Sequence, residues 1–201
     1  MKLSYVCVLL AGGALVLAGC QKGASAPAAN NQAAADSKTS EATSSDPIKS
    51  AESAAPASIA HNASVITVGA DGKVTELRKG SNGWTCMPDS PTTPGPDPMC
   101  MDANAGKWAQ AWMGHKPPPA GTTGVMYMLE GGTDASNTDP YATQPTAEND
   151  WIKTGPHIMV VGSKEILAGM PSGAKPDTSV PYVMWAGTPY AHLMVPTASA
   201  D

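Results

Sequence analysis

Val65-Ile66-Thr67-Val68-Gly69-Ala70-Asp71-Gly72-Lys73-Val74-Thr75-Glu76-Leu77 reads as a β-hairpin, and that reading decides the fold class. Two segments rich in β-branched residues flank Asp71-Gly72, a pair suited to a type I′ turn with positive φ at both central positions. The expected register sets Ile66 opposite Leu77 and Val68 opposite Thr75. Downstream, Val125-Met126-Tyr127-Met128-Leu129 is apolar on both faces, which suits a central buried strand. Three further apolar runs, His157–Val161, Pro181–Trp185 and His192–Val195, read as strands, and Ser163 to Leu167 reads as one helical turn. One longer helix is expected between the hairpin and Val125. Asp102 is its N-cap, Met101, Ala105, Trp108 and Trp112 recur at helical spacing, and Gly114 ends it. Pro117-Pro118-Pro119 forbids continuation. The sum is about six short strands and one helix, an α+β or mainly-β domain over residues 61–201.

Residues 20–60 read as a disordered linker in front of that domain. Of residues 21–60, 13 are Ala, 8 Ser, 3 Pro and 2 Thr, with Ile48 and Ile59 the only large apolar side chains. So little apolar surface does not offset the entropy of ordering. As a flexible coil the segment spans roughly 35 Å on average. Residues 1–19 have the parts of a secretory signal: Lys2, an apolar run from Val6 to Leu17, and the small Gly19. About twelve apolar positions are too few for a helix to span a bilayer core of roughly 30 Å.

The junction Leu17-Ala18-Gly19-Cys20 resembles a lipobox, the processing site of bacterial lipoproteins. The resemblance implies that Cys20 receives a diacylglyceryl thioether, that the chain is cut before it, and that the new amine is acylated. Several acyl chains anchor stably where one is marginal. Gln21 stands where the enterobacterial lipoproteins retained in the inner membrane carry aspartate, so the expected site is the outer membrane. The expected partner is the membrane itself, through the lipid on Cys20.

Removing residues 1–19 takes away Lys2 alone among the charges, leaving 11 Lys+Arg against 17 Asp+Glu, a net of −6. An acidic chain without a basic cluster argues against nucleic acid as a partner. Once Cys7 leaves with the signal and Cys20 is lipidated, Cys86 and Cys100 remain. In an exported protein such a pair is most simply a disulfide, worth about 3 kcal/mol for a loop of this length. A redox or metal-thiolate pair is the alternative, without a CxxC or zinc spacing to support it.

Several motifs fall away on inspection. Ser172-Gly-Ala-Lys175 and Lys153-Thr154-Gly155 match pieces of the penicillin-binding enzymes but stand in reverse order, with no S-D-N between them. In the polar loop 130–150, Asp134, Asn137 and Asp139 offer oxygen ligands, yet the spacing misses the calcium-loop pattern and Asx-turns explain them. What remains is a soft-ligand pattern. His157-Ile158-Met159 and His192-Leu193-Met194 are both His-x-Met within expected strands, so each pair puts an imidazole and a thioether on one face. Met113-Gly114-His115 repeats the pair in reverse, and Met126-Tyr127-Met128 adds two thioethers. Such a donor set favours Cu(I) over zinc or magnesium.

The spacing over residues 157–194 is similar to the motif of the periplasmic copper chaperones that supply cytochrome oxidase. That resemblance implies a cupredoxin-like β-barrel holding Cu(I) through Met159, Met170, His192 and Met194, with His157 near the family's first histidine. Residues 61–120 bear no likeness to the family's N-terminal half, and Pro196 follows the second pair where the family continues. The competing reading is a methionine-filled core, natural in a chain with 11 Met and no Phe. Asn82–Asp89 and Gly187–Met194 resemble stretches of bacterial exported proteins of unknown function. Three functional classes follow: a non-catalytic membrane-anchored lipoprotein head, a Cu(I) carrier or sensor, and an enzyme built on His115, His157, His192 and the acids of 130–150. The first is the principal expectation.

Overall fold

The computed structural model describes residues 46–197, so the signal, Cys20 and residues 21–45 lie outside the described part. The fold is α+β. A mixed sheet holds β1 (Ser64–Val68), β2 (Val74–Arg78), β3 (Thr85–Met87), β4 (Met99–Met101), β5 (Gly124–Met128), β8 (His157–Val161), β9 (Tyr182–Met184) and β10 (His192–Pro196). Their order is β2-β1-β3-β4-β5-β8-β10-β9, so β2 and β9 are the edges of the sheet among the described residues. Every pairing is antiparallel except β1 with β3. A separate two-stranded ribbon joins β6 (Ala135–Ser136) to β7 (Trp151–Ile152). The open order corrects the barrel implied by the copper-chaperone resemblance.

The hairpin forms with a register one residue from expectation. Ile66 faces Glu76 and Val68 faces Val74, with an irregularity between Val65 and Ile66. The turn explains the shift. Gly72 N–H donates to Gly69 O, Gly69 N–H donates to Lys73 O, and only Gly72 has positive φ, at 77°. That is a three-residue connection closed by a left-handed glycine, not the two-residue I′ turn.

The linker reading needs a larger correction over its last part, because residues 46–60 are folded, beginning with Asp46. Its carboxylate caps helix α1 (Pro47–Ser53) by accepting from Ile48 N–H, and Pro47 occupies the first turn. Helix α2 (Ala57–Ala60) follows. Ala51, Ala54, Ala60 and Ala63 are fully buried against Val65 and the Cys86–Cys100 bridge. Arg78 fastens both helices to the sheet, pairing with Glu52 and donating to Ala60 O and Ala63 O. Alanine carries too little hydropathy to register as a core pattern, but its lack of bulk lets a helix lie close to a sheet.

Cys86 and Cys100 are directly paired on β3 and β4 and form a disulfide with Cα atoms 4.0 Å apart. Their sheet face is covered by α1, whose Ala51 carbonyl lies 3.6 Å from Cys100 Sγ. The opposite face is covered by α3 (Ala103–Met113), bounded as the sequence leads one to expect by Asp102 and Gly114. Asp102 accepts from Ala105 N–H with one oxygen and from Val125 N–H with the other, tying the helix start to β5. Gly124 permits this approach: a Cβ there would sit 2.2 Å from Ala105 N.

Candidate functional site

Strand register gathers the methionines onto the α3 side of the sheet. Met101 pairs with Met126, Met126 with Met159, Met159 with Met194, and Met194 with Tyr182, one unbroken row across β4, β5, β8, β10 and β9. Beside this row Met87 pairs with Met99, Met128 with His157, and His192 with Met184. Side chains two apart share a face, so all eight strand methionines, of 11 in the chain, point the same way. Trp108 of α3, Trp185 and Tyr190 close over them.

Both His-x-Met arms lie on this face and have the same local build. Nδ1 of His157 lies 2.7 Å from Gly155 O, and Nδ1 of His192 lies 2.9 Å from Tyr190 O, in each case the carbonyl two residues back. A carbonyl only accepts, so Nδ1 carries the proton and Nε2 keeps its lone pair. Burial lowers the pKa of both rings, that of His192 to about 4 with a further contribution from His157. Both are therefore neutral at pH 7, the state in which imidazole binds metal.

Antiparallel pairing then separates what the sequence pattern put together. Met159 and Met194 face each other, but His157 faces Pro196, four residues along β10 from His192. At about 3.4 Å per residue the two histidine positions lie roughly 14 Å apart along the strands. One ion cannot take both rings. Met170 is elsewhere, following a 3-10 turn at Glu165–Leu167, 38% exposed and outside the buried cluster. The expected set of Met159, Met170, His192 and Met194 is thus divided: the thioethers of 159 and 194 adjoin, His192 lies in the sealed core, and Met170 is at the surface.

The surroundings of the two rings differ. His192 is 1% exposed and meets Trp185 and Trp108 edge to face, with centroids at 4.9 and 5.4 Å. Among the described residues its Nε2 has no hydrogen-bond partner, and neither has the buried Nε1 of Trp108. His157 is also buried, at 4% exposed, but it borders a partly open hollow no larger than about one water molecule. Thr154, Gly155, Thr178, Tyr182, Met194 and Pro196 complete its wall. Burial holds the Tyr182 phenol protonated, well above its usual pKa.

The remaining candidates have other occupations. Met113 is exposed at the end of α3, and His115 stacks on Tyr141 with centroids 4.0 Å apart. Asp139 accepts from Tyr141 N–H in an Asx-turn, and the buried Asn137 donates to Gly173 O and Ala174 O. Among the described residues, no three or more His, Cys, Asp or Glu side chains converge in an arrangement able to hold a metal. Sequence reasoning did not reach Met184 and Tyr182, which border the arms from the edge strand β9; only a known strand order exposes them. No protein-family model, curated protein or solved structure matches this chain.

Proposed function

We propose that this is an exported bacterial lipoprotein, anchored through lipid on Cys20 in the outer membrane, with a non-catalytic head. The observation that carries the reading is Leu17-Ala18-Gly19-Cys20 followed by a head with a buried Cys86–Cys100 disulfide, a bond that persists in oxidising compartments outside the cytosol. Each histidine has a local contact in the head: His61 pairs with Glu52, His115 stacks on Tyr141, and His157 and His192 each donate Nδ1–H to a backbone carbonyl. Replacing Cys20 with Ser tests the anchor. The parent should incorporate labelled palmitate and sediment with membranes, and the variant should do neither; equal label in both would refute the reading.

A second reading, Cu(I) carriage or sensing by the head, is favoured by one observation. The two His-x-Met arms share a face, and seven methionines besides Met184 lie in adjoining positions there. Thioether and neutral imidazole suit a soft monovalent ion.

A further inference from the structure

We propose that His157 Nε2 and Met194 Sδ together hold one soft monovalent cation, Cu(I) or Ag(I), in the hollow between β8, β9 and β10. This rests on the Cu(I) reading above and replaces its ligand set. Three features of the hollow carry it. First, His157 is oriented as a ligand. Its Nδ1–H donates to Gly155 O, which fixes the tautomer and leaves the lone pair on Nε2. The backbone at Gly132 supports the ring, since a Cβ there would sit 3.1 Å from His157 Cε1 and 2.8 Å from Thr154 Oγ1. Second, Met194 borders the same hollow, so a residue bearing a thioether and one bearing an imidazole line one space with room for a small guest. Third, among the described residues no carboxylate or thiolate lines it. A divalent ion would enter between two buried ligands without a compensating negative charge, whereas a monovalent soft ion costs less to desolvate and matches both donors. The opening to solvent leaves one position for a water or an exchanging ligand.

The other arm lacks this. His192 and Met194 share β10, but Trp108 and Trp185 pack on the His192 ring at contact distance. Met170 is exposed on a surface loop.

The test uses the full chain purified in detergent, titrated anaerobically with Cu(I) against a chromogenic chelator. Met194→Leu keeps volume while removing the sulfur, and His157→Gln removes the lone pair; each should weaken binding by about tenfold or more, while Met113→Leu should not. Circular dichroism checks folding. If His157→Gln does not fold, copper-edge X-ray absorption decides instead, with a nitrogen and a sulfur scatterer in the parent and the sulfur lost in Met194→Leu. Tight binding that survives Met194→Leu but is lost in Met170→Leu or His192→Gln would overturn this site and leave the Cu(I) reading standing. No retention of Cu(I) by the parent would overturn both.

Discussion

The two His-x-Met arms share sequence, strand geometry and tautomer, and differ in what stands in front of the ring. On β10 the space before His192 is filled by Trp108 and Trp185. On β8 the space before His157 is a small hollow walled by Thr154, Thr178 and Tyr182. Identical local chemistry therefore yields a core residue in one arm and a potential ligand in the other. What decides is the neighbouring element: α3 and the residues after β9 cover one end of the methionine face, while the chain leading into β8 covers the other incompletely.

Removing the cover is the strongest way to break that contrast. Trp108→Ala opens the sealed arm and should cost about 3–5 kcal/mol in urea unfolding, whereas Thr178→Ala, on the hollow, should change stability by less than about 0.5 kcal/mol. Similar values for the two would mean that the arms are equally packed. Within the thioethers, Met194→Ala should cost about 2–5 kcal/mol and Met170→Ala almost nothing, because one is buried in the row and the other is a surface residue.

Acid sharpens the comparison. Both rings titrate below the ordinary histidine value when folded, chiefly through burial, so the unfolded chain binds the proton more readily. Stability present above about pH 6.5 should fall as pH drops through the window toward the folded value of about 4 for His192, a loss on the order of 3 kcal/mol. Urea unfolding at several pH values should show a shallower slope in His192→Leu than in the parent; an unchanged slope would place the buried titrating group elsewhere. A more modest effect than that of His192 is expected at Asp102. Losing its two hydrogen bonds in Asp102→Ala should cost about 1–2 kcal/mol, and should loosen α3 over His192 without altering the hollow at His157.

The elements legible in the sequence are those whose signals are local. Helix 103–113 has a cap, a period and a stop, and β8 and β10 are continuous apolar runs. The short strands β3 and β4 hid between prolines, since three residues hold no period, and α1 and α2 hid because alanine reads as linker until a partner surface is known. The register of the first hairpin slipped because Asp71-Gly72 serves a bulged turn as readily as a two-residue one. The site followed the same rule. That His157 and Met159 share a face follows from the period of two. That Met159 meets Met194 while the histidines diverge depends on the antiparallel pairing of β8 with β10, a long-range fact no spacing contains.

The claim that the arms are alike in tautomer and unlike in access can be measured directly by long-range 1H–15N NMR of the imidazole rings at pH 7, before and after one equivalent of Ag(I). Both rings should show a protonated Nδ1, and on adding Ag(I) the Nε2 resonance of His157 alone should move. A shift at His192 with His157 unmoved, or an Nε2–H tautomer in either ring, would contradict the account.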